Sequence, residues 1–367
     1  MTDHLYVHVP FCGSICYYCD FCHRVYDKDL VNKWLDALQV EINNECHDQY
    51  TTIYIGGGTP NCLQYEELDR LLSMIEPYSK RCAQYTIELN PECFDMRQID
   101  LFKKYKIHRF SIGLQTSSPE LLESINRKHS YEDVYNLVET LRNNGEFNIS
   151  IDLMYSLPGQ TMEDLKKALK DVVEDIEAPH ISIYSLTIEE NSVFGKKGIN
   201  HLDEDVEADM YDYIVSYLKE NDYIQYEVSN FAKDGYKSRH NIGYWEYDDY
   251  LGVSLSATSK IGNRRYTNTR SFDKYFESYE NKDEDIELSL KDMIIENVMM
   301  SLRTKLGLSL DDFFFKYKID FMEIFKNSLE KFKDEFVIKN EYISVKNLAI
   351  LNHILTYLYI DLDKYFQ

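Results

Sequence analysis

Four cysteines of this 367-residue chain, Cys12, Cys16, Cys19 and Cys22, fall within eleven residues, while Cys46, Cys62, Cys82 and Cys93 are scattered singly. Disulfide frameworks spread their cysteines through short secreted domains. Clustering in a long chain points instead to a metal ion or a metal cluster. Three thiolates spaced C-x3-C-x2-C on a loop can wrap one corner of a cubane. A [4Fe–4S] cluster normally takes four cysteine ligands. Three leave one iron with an open coordination position, which an amino acid presenting both amine and carboxylate can chelate. All four thiolates together could instead close a tetrahedral zinc site, and spacing alone leaves both chemistries open.

The elements that must position this loop follow from periodicity. Residues 5–9, 51–55, 84–89, 109–114, 147–153 and 180–185 read as strands, and residues 28–42, 66–76, 131–143 and 162–176 as helices between them. In 28–42, Leu30, Trp34, Leu38 and Ile42 recur at helical spacing. Alternation of strand and helix argues for right-handed βαβ units and a parallel sheet. The strands have two faces: Phe147, Ile149, Ile151 and Leu153 oppose Asn148, Ser150 and Asp152, and Arg109, Ser111, Gly113 and Gln115 oppose Phe110, Ile112 and Leu114. Parallel strands covered on both sides are usually apolar throughout. A polar face therefore predicts a barrel-like sheet whose interior is lined for a ligand. Barrel enzymes place their chemistry at the C-terminal strand ends, where Gly56, Glu88, Gln115 and Asp152 stand.

The pattern changes after about residue 190. A helix over 203–219 leads into an aromatic-rich stretch, 223–250, without clear periodicity. Helices over 288–303, 310–317 and 321–332 follow, then a hairpin of 336–338 with 342–345 around Asn340-Glu341 and a last helix over 347–359. This order predicts a small winged-helix-like α+β module. The domains expected are 1–220, a connecting segment 221–285, and 286–367.

Composition bounds the function. The chain carries 40 basic and 63 acidic residues, a formal charge of −23. Nucleic acid and anionic membrane surfaces want basic patches, so no nucleic-acid partner is expected. No run approaches 18 apolar residues, so no integral membrane segment is expected. The first residues lack a secretory pattern, and cytoplasm is the expected location.

The motif after the first strand, His8-Val9-Pro10-Phe11-Cys12-Gly13-Ser14-Ile15-Cys16-Tyr17-Tyr18-Cys19, resembles the signature of the radical S-adenosylmethionine superfamily. Ile55-Gly56-Gly57-Gly58-Thr59-Pro60 is similar to its glycine motif. Further stretches, Ile87–Glu92, Arg109–Thr116, Asn126–Ser130, Ile151–Thr161 and Leu302-Arg303-Thr304, narrow the resemblance to the branch of anaerobic coproporphyrinogen dehydrogenases and haem chaperones. The resemblance implies a partial (β/α)6 TIM-like barrel with a smaller C-terminal α+β domain. It implies that Cys12, Cys16 and Cys19 ligate the cluster, with Tyr6 and Tyr18 flanking the cofactor. Gly57, Gly58 and Thr59 would contact its methionine portion, and Glu88, Gln115, Arg127 and Asp152 would hold its amine, carboxylate and ribose. Guanidinium and carboxylate side chains suit those groups. In this superfamily the reduced cluster passes an electron to the sulfonium.

Within the branch, dehydrogenases have a further cysteine two places beyond the third cluster cysteine and a long segment before the motif. Phe21 stands at that place here, and the first cluster cysteine is already residue 12, so the resemblance favours the haem chaperones. Cys22 then reads as a free buried thiol. Arg239-His240-Asn241-Ile242-Gly243-Tyr244-Trp245 resembles the H-N-x-x-Y-W motif associated with haem in that branch. It implies His240 as a haem ligand, with Tyr244 and Trp245 able to stack on a porphyrin. Residues 252–259 depart from the family, with Ser254, Ser256 and Thr258 replacing glycines and a histidine. The function expected is haem binding and delivery to an acceptor protein, with [4Fe–4S], S-adenosylmethionine and haem as cofactors and a reductant such as flavodoxin or ferredoxin. Coproporphyrinogen III oxidation and a zinc-stabilised binding protein are the alternatives.

Overall fold

The computed structural model describes residues 2–145 and 147–367. Six strands, β1 (His4–Val9), β2 (Thr52–Gly57), β3 (Gln84–Leu89), β4 (Arg109–Gln115), β5 (Asn148–Tyr155) and β6 (His180–Ser185), run parallel in sequence order. Helices α1 (Lys28–Glu45), α2 (Tyr65–Ile75), α3 (Gln98–Lys104), α4 (Tyr131–Asn144) and α5 (Met162–Lys170) return the chain between them. The fold is α/β, the partial barrel expected, with a smaller α+β unit after it.

The two faces of the strands divide as the alternation predicts. Leu5, Val7, Val9, Ile53, Ile55, Ile87, Ile112, Ile151 and Ile183 are buried against the helices in one continuous apolar core. Trp34, Leu35 and Leu38 of α1 enter the same core, and Phe11 meets Trp34 edge-on with ring centres 5.5 Å apart. Leucines and isoleucines take the outer layer, so the polar alternates are left to line the interior.

Two differences from the periodic reading have local causes. The helix read over 162–176 is α-helical only to Lys170, and Asp171–Asp175 forms a wider π-type turn that buries Val172 and Val173. The stretch 221–285, read as a connector, extends the barrel sheet at both edges. Strands β7 (Ile224–Gln225) and β8 (Asn230–Ala232) add antiparallel to β6. Strand β9 (Tyr250–Val253) adds parallel to β1, followed by antiparallel β10 (Thr258–Ile261), β11 (Arg264–Asn268) and β12 (Lys282–Glu287). The result is a sheet in the order β12-β11-β10-β9-β1-β2-β3-β4-β5-β6-β8-β7. Strands of two to six residues, paired at an edge, carry too few alternations to be read from sequence.

Helix α6 (Glu204–Glu220) buries Met210, Ile214 and Leu218 on the barrel. Between β8 and β9 lies α7 (Arg239–Trp245), capped by Ser238. The C-terminal unit has its own core, built from α8 (Leu290–Ser301), α9 (Leu310–Tyr317), α10 (Leu351–Tyr365) and a hairpin, Phe336–Lys339 with Tyr342–Val345, to which Leu308–Ser309 adds a third strand. It docks on the barrel through Glu296 of α8, which accepts from the Tyr247 hydroxyl at 2.8 Å and pairs with Arg265. Among the described residues, no helix is long and apolar enough to cross a membrane.

Candidate functional site: a cysteine loop over a polar barrel interior

The cysteine loop leaves the C-terminal end of β1. Residues Phe11–Cys12 pair with Arg24–Val25, which closes the loop at its base. The loop is held from the side by Tyr17 N–H on the Ile125 carbonyl at 3.1 Å and by Asn126 Nδ2 on the Ile15 carbonyl at 2.7 Å. Cys12, Cys16 and Cys19 all face a cavity of about 680 Å³ inside the barrel. Burial pushes the Cys12 thiol up to about 12 and the Cys19 thiol to about 11. Thiols that resist ionisation by themselves need a metal's positive charge to become ligands, which couples binding to proton release. Among the described residues, no three His, Cys, Asp or Glu side chains converge on a single-ion site. The Cys22 thiol also borders the cavity but donates to the Arg270 carbonyl at 3.4 Å.

The same cavity is lined by Tyr18, Gly57, Gly58, Thr59, Glu88, Gln115, Arg127 and Asp152, as the motifs imply. Tyr6 and His240 line a second, adjoining cavity of about 850 Å³. The Tyr6 hydroxyl lies 3.0 Å from His8 Nδ1, and His8 Nε2 in turn lies 2.8 Å from the Cys22 carbonyl of the cysteine loop.

The glycine motif brings bare backbone beside the loop. Gly58 and Thr59 donate to the carbonyls of Val9 and Phe11, at 2.8 and 2.6 Å. A Cβ on Gly58 would lie 2.4 Å from the Phe11 oxygen, and Gly57 has φ +108°, so larger residues are excluded from this cradle. Arg127 is buried; Nη2 donates to the Gly113 carbonyl at 2.8 Å and to Asn90 Oδ1 at 3.0 Å, and Nη1 reaches Cys16 Sγ at 3.7 Å. Its Nε and the Ser14 hydroxyl, both bordering the cavity, are buried without a hydrogen-bond partner. Orphaned buried donors are costly, and an anionic group entering the cavity would satisfy them.

Two carboxylates line the same cavity. Glu88 accepts from the Tyr54 hydroxyl at 2.7 Å and from the Gly57 N–H at 3.1 Å. Burial, with the nearby charge of Asp152, raises it to about 7. Asp152 accepts from Ser111 at 2.9 and 3.0 Å, and burial raises it to about 6. Burial destabilises both as anions, and an ammonium or ribose hydroxyls would relieve them. A buried guanidinium and two raised carboxylates lining one cavity with three thiols and a glycine cradle fit a zwitterionic amino-acid sulfonium next to an iron–sulfur cluster.

A family model described as the radical SAM superfamily matches residues 6–172. Curated relatives extend this over nearly the whole chain. "Heme chaperone HemW" of Lactococcus lactis subsp. lactis (strain IL1403) is 35% identical over 92% of this chain and 90% of its own length. "Heme chaperone HemW" of Bacillus subtilis (strain 168) is 34% identical over 93% of each. This chain belongs to the radical SAM superfamily, in its HemW-like branch. A solved structure of coproporphyrinogen III oxidase (HemN) from Escherichia coli shares the fold, with a TM-score of 0.83 and 22% identity over 99% of this chain and 91% of that one.

Several residues in this radical SAM site carried no role in the motifs. Arg109 is fully buried at the cavity floor and donates to the Tyr236 carbonyl at 3.0 Å. Asn90 ties Thr59 to Arg127, donating to Thr59 Oγ1 at 2.9 Å. His180, Ser182 and Tyr184 of β6 complete the wall. Their signal in the sequence was their place on the inward, polar alternation. His240 is fully buried, stacked on Tyr54 with ring centres 5.2 Å apart, and burial lowers it to about 3. Ser254 and Ser256, at the departure from the family's glycines, have φ of 84° and 54°. Ser256 borders both cavities.

Proposed function

We propose that this chain is a haem chaperone-like radical SAM protein that binds haem and passes it to an acceptor protein. The observation that carries the reading is the match to curated haem chaperones over more than nine-tenths of both chains. The two adjoining cavities support it, one polar and beside the cysteines, the other walled by aromatic and methionine side chains. Cys12, Cys16 and Cys19 would hold a [4Fe–4S] cluster. Glu88, Gln115, Arg127 and Asp152, with the cradle of Gly57, Gly58 and Thr59, would hold S-adenosylmethionine. When bound, that pair supplies one-electron chemistry at a sulfonium. The chain's own contribution is to orient the amino acid between Arg127 and Glu88 and to keep water from the barrel interior. Tyr18 borders this site, while Tyr6 and His240 belong to the second chamber, where haem would sit. Flavodoxin or ferredoxin would supply electrons, and the protein would work in the cytoplasm.

The test is anaerobic reconstitution with iron and sulfide, followed by parallel assays. The reading expects acid-labile sulfide, S-adenosylmethionine binding, stoichiometric haem binding and no catalytic conversion of coproporphyrinogen III. Zinc without sulfide would establish a zinc-stabilised binding protein instead. Protoporphyrinogen formed at catalytic rates would establish the oxidase.

A further inference from the structure

The interior of a (β/α) barrel is ordinarily filled by bulky branched side chains. At the floor of the first cavity this chain places serines instead: Ser111, Ser150 and Ser182 on β4, β5 and β6, with Ser238 from the segment before α7. Ser111 stands beside Ser150 in register, and Ser182 beside Asp152. Small side chains at neighbouring inward positions leave room that close packing would otherwise fill.

Among them stands Arg109, the first residue of β4 and 2% exposed. Among the described residues it has no carboxylate partner, and its one hydrogen bond runs from Nη1 to the Tyr236 carbonyl at 3.0 Å. A guanidinium presents five donors and cannot shed its proton, so most of its donors go unused. Its register neighbours do not offset the charge. The Thr86 hydroxyl and the Asn148 amide oxygen are buried without partners, and both groups are neutral. Asp152 borders the same floor but accepts from Ser111 at 2.9 and 3.0 Å. A buried charge without a partner is costly, and an anion at the floor would relieve it.

The floor is separate from the cofactor residues. Arg109 and Gln115 are the two ends of β4, about 20 Å apart at the rise of a strand. Arg127 and the cysteines lie at the Gln115 end, where Arg127 reaches the Gly113 carbonyl and Cys16. One guanidinium balances one negative charge and matches a planar carboxylate through its fork. A phosphate dianion would leave a surplus charge beside Asp152.

We propose that the barrel floor is a second ligand subsite, in which Arg109 holds the carboxylate of a small organic acid beneath the cofactor-binding residues. This rests on the S-adenosylmethionine reading for the order of the two ligands in the barrel, and on nothing in the second cavity.

The experiment is calorimetric melting of the full, anaerobically reconstituted chain near neutral pH, with acetate as the probe against chloride at equal ionic strength. A ligand that binds only the folded state raises the melting temperature. Acetate is expected to raise it, acetamide to leave it unmoved, and inorganic phosphate to act more weakly than acetate. Arg109→Gln is expected to weaken acetate at least about tenfold. Arg109→Lys, which keeps the charge and loses the fork, is expected to recover part of that. Saturating S-adenosylmethionine is expected to leave acetate binding intact. No rise with the wild type overturns the site. If S-adenosylmethionine displaces acetate, the anion was bound at Arg127 and the floor subsite is overturned. If Arg109 serves only to tie down the Tyr236 carbonyl, Arg109→Gln melts lower yet responds to acetate as the wild type does, which also overturns it. Phosphate acting more strongly than acetate overturns the carboxylate assignment. If the chain takes up no S-adenosylmethionine while acetate binding still depends on Arg109, the cofactor reading fails and the floor subsite stands.

Discussion

Replacing Glu88 with glutamine separates the demands of binding from those of stability. The carboxyl group rises from an ordinary 4.5 to about 7 in the folded chain. The folded state therefore holds a proton more tightly than the unfolded state, and stability falls as pH rises between those values. That difference corresponds to about 3 kcal/mol, the penalty for keeping the anion above pH 7. Glutamine removes that charge. Its amide oxygen can still accept from Tyr54 or from Gly57, but its NH2 cannot serve the other, a loss of about 1 kcal/mol. Glu88→Gln should therefore stabilise the ligand-free protein by about 2 kcal/mol at pH 8. Below pH 4.5 the gain should vanish and leave a deficit of about 1 kcal/mol. Urea denaturation followed by the fluorescence of Trp34, buried in the barrel core, reads both. The reconstituted variant should meanwhile lose affinity for S-adenosylmethionine. A variant less stable than wild type at pH 8 would refute the claim that this carboxylate is held at a cost.

Other substitutions probe separate parts of the site. Gly113→Ala places a methyl group 2.4 Å from Arg127 Nη2 and 2.8 Å from Gln115 Nε2, so calorimetry on the reconstituted protein should show S-adenosylmethionine bound at least about tenfold more weakly. Cys22→Ala should reconstitute with wild-type iron and sulfide, because that thiol is turned to the Arg270 carbonyl; loss of sulfide in this variant would make Cys22 a ligand. Glu296→Gln removes the partner of Arg265 and weakens the Tyr247 contact. It should cost about 1–2 kcal/mol and speed proteolytic cleavage near Glu287–Leu290, read by gel.

The barrel was legible because each parallel strand pairs an apolar outer face with a polar inner one. The stretch 84–89 is a strand with the ends its pattern implies. The cysteine loop was legible for a different reason, since spacing along a loop is itself the chemistry. The edges of the sheet were not legible. Asn230–Ala232 is three residues long and exists because β6 offers it an open edge. The π-type turn at Asp171–Asp175 was hidden because its valines continue a helical apolar pattern while the backbone widens.

The serines at 254 and 256 show how a loop can keep a glycine-like path without glycine. A left-handed backbone costs a non-glycine residue about 1–2 kcal/mol, and both serines take it. Ser254 has compensation: its hydroxyl accepts from Trp34 Nε1 at 2.8 Å, and its N–H donates to the buried Glu41 at 2.8 Å. Glu41 is itself held by Tyr275 at 2.5 Å and by Asn268 at 2.7 Å. At about 1 kcal/mol for a neutral bond and more for one to a charged group, these contacts offset the backbone cost. Ser256 donates its N–H to the Thr269 carbonyl at 3.2 Å, and its side chain meets the Cys22 thiol. Ser256 borders both cavities, which puts a left-handed serine at the boundary between the cofactor site and the proposed haem chamber. Strain retained at such a boundary is what a site demands and a scaffold would avoid. The two serines thus keep a path that glycine takes without steric cost, and Ser256 does so where the two chambers meet.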